Sequence, residues 1–307
     1  NLAGLFAADD DAVLTALAAG PTSERHAARV NEIIQSFGAR AAEDLDRRAP
    51  LSQSDLEQAQ QGLKELIELV KQTVDARRID AGTALLPNGS GLVLLAGSTV
   101  ADTGKLEQLF KGAVELAAKN EPRVAEVVTL DAETHQGVRL HTVSVPAIEL
   151  PQLENLPAGL LGDQFTAAVG FGPQNAYLAV GPGALDHLKT AIDRSRAAAG
   201  EAVPPRRISM SAGELGRIVD DLAIDARWDL SSRPISKVLP ALTRAGANDR
   251  VTIAVVGADG GVQASLDMEY GVTGAGQAAL MALIREFMSG RAGELLRGGV
   301  LPQGLDL

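Results

Sequence analysis

The sequence predicts an α+β protein: an N-terminal helical hairpin, then repeated β-hairpin-plus-helix units forming a mainly antiparallel sheet covered by helices on one face. Three observations carry that class. Residues 1–76 place apolar side chains at helical spacing. From residue 77 the pattern changes to short β-rich runs on either side of Gly-containing turns. The order strand, strand, helix then recurs over 77–145, 164–200 and 249–290, which suggests an internal repeat. Hairpins imply antiparallel neighbours, and short loops leave each helix on the sheet it has just left. The expected division is a helical segment, 1–76, and an α+β domain, 77–307.

The elements follow in order. Val30, Ile33, Ile34 and Phe37 form one stripe of a helix that Arg47-Arg48-Ala49-Pro50 ends. Ser54 and Glu57 stand at capping-box spacing with Leu51 placed as a staple. Leu63, Leu66, Ile67, Val70 and Val74 continue the apolar period, so the two helices form an antiparallel hairpin. Two strands, 80–86 and 91–98, flank the turn Pro87-Asn88-Gly89-Ser90, and Asp102 is set to cap a helix bearing Leu106, Leu109 and Phe110. A second hairpin runs 124–131 and 138–145 around His135-Gln136-Gly137. Pro146, Pro151 and Pro157 mark an irregular connection. A third hairpin, 165–171 and 176–180, leads through Gly181-Pro182-Gly183 into a helix with Leu185, Leu188 and Ile192 aligned. A strand at 207–210 precedes a helix opened by Ser211 and Glu214. The turn Asp259-Gly260 joins the last hairpin, 250–256 and 262–270, and a helix with Leu280, Leu283, Ile284 and Phe287 follows.

Composition narrows the function. The chain has 307 residues, 46% hydrophobic and 22% charged, which is globular composition. Its net charge of −11 argues against nucleic acid, which needs a cationic face, and disfavours an anionic membrane surface. Aromatics are only 3%, so stacking platforms for bases or sugars are poorly supplied. With no Cys there are no disulfides, thiolate metal sites or cysteine nucleophiles. The longest apolar run, Gly91 to Gly97, is strand length and falls short of the ~18 residues that cross a bilayer, so no direct membrane insertion is expected. The chain starts at Asn1 in place of Met, for which a cleaved signal peptide is one explanation and a trimmed chain another.

Motifs for chemistry are sparse. No Gly-x-Ser-x-Gly elbow, Walker loop or calcium loop is spelled, and no cofactor is expected. The one constellation to weigh lies in the second hairpin. Strand alternation places Asp131, Glu133 and His135 on one face, and His141 on the return strand faces them. Two imidazoles and two carboxylates are the ligand types of a divalent metal, although no tight metal-binding spacing is present. The plain alternative is an acidic strand near a turn, sitting in water. The Arg47-Arg48, Arg77-Arg78 and Arg206-Arg207 doublets lie at element boundaries and read as local charge partners.

Three stretches resemble a family of uncharacterised, exported, Ala/Gly-rich proteins of planctomycete-type bacteria. They are Ala101-Asp-Thr-Gly-Lys-Leu-Glu107, His135-Gln-Gly-Val-Arg-Leu-His141, and Phe165 to Asp193 with its Ala176-Tyr-Leu-Ala-Val-Gly-Pro-Gly183 core. The resemblance covers mainly residues 78–200. It implies an extracytoplasmic setting, periplasmic or secreted, and carries no catalytic motif.

Three functions follow as expectations. The first is a non-catalytic exported binding or structural module, with a protein partner or self-association. The second is a carrier of an apolar ligand between a curved sheet and its helices, requiring a cavity of roughly 300–1,000 Å³; the Ala- and Gly-rich composition suits protein–protein stacking and a shallow apolar cleft alike. The third is a metal-dependent hydrolase centred on the 131–141 hairpin.

Overall fold

The structure, a computed structural model, describes residues 2, 12–48, 51–88, 91–146, 164–197, 205–225, 249–258 and 261–269. Strand β1 is Leu14–Pro21, followed by helices α1 (Glu24–Arg48) and α2 (Gln53–Asp75). Then come β2 (Arg78–Asn88), β3 (Gly91–Thr99), α3 (Thr103–Asn120), the short α4 (Arg123–Val127), β4 (Val128–His135) and β5 (Val138–Pro146). After them follow β6 (Gln164–Phe171), β7 (Asn175–Val180), α5 (Ala184–Ala197), β8 (Arg206–Ser211), α6 (Ala212–Asp225), β9 (Arg250–Ala258) and β10 (Gly261–Met268).

The class is α+β, with a ten-stranded antiparallel sheet in the order β10-β9-β8-β1-β2-β3-β7-β6-β5-β4. Register is fixed by the hairpins: Asn88 opposes Gly91 in β2–β3, and His135 opposes Val138 in β4–β5. In the latter turn Gln136 and Gly137 have φ of 52° and 74°, the positive pair that a two-residue hairpin requires. Strands β3 and β7 join the hairpins, Leu94 facing Val180.

Four local expectations change. Leu14–Pro21, inside the stretch expected to be helical, is a strand paired along its length with β2. Its Ala-rich composition gives no strand signal, and tertiary pairing overrides propensity. The cap of α2 is Ser52, whose Oγ accepts from the Asp55 N–H at 3.3 Å, two residues before the expected pair. Residues 124–127 are helical, so the second hairpin starts at Val128. In α1, Ile33 and Phe37 are 62% and 71% exposed, and α1 instead meets α2 where Gly38 lies over Ile67. The caps at Asp102 and Ser211 are as expected. The 146–163 connection beyond Pro146 and the helix over 280–288 lie outside the described residues.

Chain contacts divide the molecule into two units, 1–209 with 253–265, and 210–252 with 266–307. The core of the first joins Leu17, Leu86, Val93, Leu95, Leu140 and Ala179 of the sheet to Leu188 and Ile192 of α5. Burying a Leu, Ile or Val of this set contributes roughly 1.5–3 kcal/mol. Because successive strand residues point to opposite faces, Leu140 turns toward α5 while His141 turns toward α3. Helices therefore lie on both faces, not on one as expected from the sequence: α5 over one, α3 over the other. The recurring hairpin-helix units at 77–145 and 164–200 thus send their helices to opposite sides. In the second unit, Asp249 accepts hydrogen bonds from the Ser211 hydroxyl at 3.0 Å and from the Gly213 N–H, and so helps to cap α6. Val251 is fully buried beside Met210, Leu266 and Met268.

Candidate functional site

The sheet face under α2 and α3 carries Ala96 and Ser98 from β3, Ala176 and Leu178 from β7, and Val169 and Phe171 from β6. Above it stand two antiparallel helices held apart by their ends. At one end Lys119 Nζ lies 2.5 Å from Asp55 Oδ1, and this contact holds the Asp55 carboxyl below its usual range. Toward the other end Lys105 lies 3.4 Å from Glu65, and the Ala101 N–H donates to Thr73 Oγ1 at 3.1 Å. Between these clamps the facing residues are small: Ala59 and Gly62 on α2, Gly112, Ala113 and Ala117 on α3. A methyl group added at Gly62 or Gly112 would meet nothing within 4 Å.

The space left is a cleft of about 1030 Å³ whose walls are almost entirely apolar, with Leu63, Leu66, Leu106, Leu109, Phe110 and Leu116 supplying most of the bulk. Polar groups stand among its lining residues: Gln58, Gln61 and Glu65 on α2, Gln108 on α3, and Ser98. A smaller cavity of about 370 Å³ shares Glu65, Gln108 and Leu109 with the cleft and is otherwise lined by Asp102, Gly104 and Lys105. Hydrogen bonds from Gln61 and Lys105 hold the Glu65 carboxyl below the ordinary glutamate range.

Two aromatic rings of the cleft wall, Phe110 and Phe171, also pack on the buried His141 of an ion cluster whose other buried member is Glu107. Their centroids lie 5.4 Å and 5.5 Å from that of His141, which is 1% exposed. Arg139 grips Glu107 with two nitrogens; its Nε lies 2.9 Å and 2.8 Å from the two carboxylate oxygens. Lys111 Nζ sits 3.0 Å from Glu107 and 2.8 Å from Asp131. The Asp131 N–H donates to His141 Nδ1 at 2.9 Å, which assigns the ring proton to Nε2; that buried nitrogen makes no hydrogen bond and lies 3.4 Å from Glu107 Oε1. Arg139 above all pulls the Glu107 carboxyl down to about 2. Burial pushes the His141 imidazole down, against the pull of Asp131 and Glu107.

Of the four residues singled out in the sequence, the structure brings Asp131 and His141 together and places the other two elsewhere. Glu133 pairs with Lys189 at 2.5 Å and His135 with Asp193 at 2.8 Å, both on α5. Simple alternation fails because β4 bulges. Thr129 opposes Thr142 but Glu133 opposes Leu140, so residues 130–132 stand against His141 alone, and Asp131 takes a φ of 49°. The bulge turns Asp131 toward α3 while Glu133 and His135 face α5.

Glu107, Asp131 and His141 have potential ligand atoms within 4.8 Å of one another, a geometry compatible with a metal ion. The chain's own cations meet that demand: Lys111 lies between the two carboxylates and Arg139 occupies both oxygens of Glu107. A metal would have to displace Lys111, and His141 Nδ1 is already taken by a backbone donor. The donor set does not fit a metal as it stands. Glu107, Lys111 and Arg139 went unread in the sequence. The available signals were the Glu107–Lys111 spacing on one helix and the Arg139–His141 period of two.

No protein-family model, no curated protein and no solved structure matches the chain.

Proposed function

We propose that the protein is a non-catalytic carrier of an apolar, chain-bearing ligand held between the sheet and helices α2 and α3. One observation supports this above the others: a cleft of about 1030 Å³, predominantly apolar and lined at its centre by residues too small to fill it. That volume lies at the upper end of small-molecule sites, which run roughly 300–1,000 Å³. Each methylene transferred from water to such a wall contributes about 0.8 kcal/mol. The extracytoplasmic setting implied by the family resemblance accords with a carrier role and is part of the same reading.

The test fills the cleft. Gly62→Phe with Gly112→Phe puts two rings into open space and replaces the poorest ordinary helix former at both positions. The unaltered chain is expected to take up a fluorescent long-chain probe and to carry bound chains in native mass spectrometry. The filled variant is expected to lose at least tenfold in probe affinity with its melting temperature maintained. Equal probe binding by a folded, filled variant would remove the carrier reading.

A second reading, self-association, is favoured by the exposure of Ile33 and Phe37 on α1. It is compatible with the first, since the Gly38 contact with α2 lies on another side of that helix.

A further inference from the structure

Resting on the carrier reading, the geometry points to a ligand that is an amphiphile with an uncharged, hydroxyl-bearing head, its chain in the large cleft and its head against the smaller cavity beside Glu65 and Gln108. The two spaces share these residues, so a chain lying along α2 and α3 brings one end to that polar corner. Gln108 lines both spaces and, among the described residues, has no hydrogen-bond partner, so its exposed amide is open to a ligand at that corner. An amide both donates and accepts, which matches a hydroxyl; a carboxylate only accepts. The charges at this corner also select. Lys105 is paired with Glu65, Glu65 is held ionised by Gln61 and Lys105, and Asp102 adds a second carboxylate. The single ammonium is already engaged by Glu65, and Asp102 already takes the Lys105 N–H at the start of α3, so the corner offers an anionic head no unpaired cation.

The experiment compares ligands of one chain length in displacement of the fluorescent probe: a monoacylglycerol, the fatty acid anion and an alkyl sulfate. The monoacylglycerol is expected to bind at least tenfold tighter than either anion in low salt, and the gap is expected to narrow at high salt, where charge repulsion is screened. Gln108→Leu is expected to weaken the monoacylglycerol, which uses both the donor and the acceptor of the amide, more than the fatty acid, which uses only the donor. Glu65→Gln frees Lys105 and is expected to tighten the fatty acid. Anions that bind as well as the monoacylglycerol, or a gap that survives both substitutions, would overturn the head-group assignment and leave the carrier standing. Failure of all three ligands to displace a bound probe would overturn the head-group assignment alone; failure of the probe to bind would overturn the carrier reading with it.

Discussion

Glu107 is 4% exposed and faces Arg139, Lys111 and the His141 ring, so the effect of losing a partner depends on which side is left buried. Arg139→Ala strands a carboxylate away from water with only Lys111 left to meet it, and is expected to cost about 3–5 kcal/mol. Glu107→Gln keeps the shape and leaves Arg139, whose side chain is half exposed, to solvent; a smaller loss of about 2 kcal/mol is expected. Urea midpoints of the two variants check the order. The same groups set an acid limb. Glu107 titrates at about 2 in the folded chain against an ordinary 4.5, so its contribution is complete above 4.5 and disappears as pH falls toward 2. It amounts to roughly 3 kcal/mol as an upper figure. His141 is also depressed, from 6.5, so the unfolded chain takes up its proton first and stability begins to fall once pH drops below 6.5. Melting temperature against pH is expected to decline gently below 6.5 and steeply below 4.5, with the steep limb flattened in Glu107→Gln. None of this was legible beforehand: sequence marked His141 and Asp131, but the residue opposite them comes from a helix more than twenty positions earlier.

At the scale of elements, the turns were the most readable features because their chemistry is local. Gly137 and Gln136 take the positive φ values a tight hairpin needs, and Asp102 and Ser211 cap the helices they precede. Features set by distant partners were not readable: β1 is a strand because β2 lies beside it, and the bulge at Asp131 shows only once β5 is in register. The junction of β7 with α5 is the tightest case. Gly181 has a φ of 126°, and a Cβ there would lie 2.2 Å from the Leu92 carbonyl oxygen of the neighbouring strand. Both the conformation and the clash forbid a side chain, so Gly181→Ala is expected to cost about 3 kcal/mol or more or to prevent folding. Gly62→Ala meets open space in a helix interior and is expected to gain up to about 1 kcal/mol. Denaturant unfolding of the pair measures two glycines with opposite signs; a neutral Gly181→Ala would refute the close approach.

For the molecule as a whole, class and strand pairing within hairpins follow from sequence, while the cleft does not. It arises because two helices clamped at their ends carry small residues between the clamps, and no local pattern reports a gap between elements forty residues apart. The Ala- and Gly-rich composition was the only trace of it. The same limit governs α1. Its apolar stripe has helical period, yet only the tertiary structure reveals that Gly38, not Phe37, meets the neighbouring helix. Ile33 and Phe37 are left 62% and 71% exposed. Two such side chains supply well under the ~800 Å² per partner of a stable interface, so association through this face is expected to be weak and concentration-dependent. Light scattering is expected to give a monomer mass at low concentration and a rising mass above about 100 μM, the regime of a contact worth only about 5 kcal/mol. Ile33→Ser with Phe37→Ser removes little buried area and is expected to leave the melting temperature within a degree or two while holding the mass at the monomer value throughout. A strict monomer in the unaltered chain at the highest concentration would exclude the α1 contact, and a loss of stability in the serine pair would mean that these side chains are covered within the chain itself.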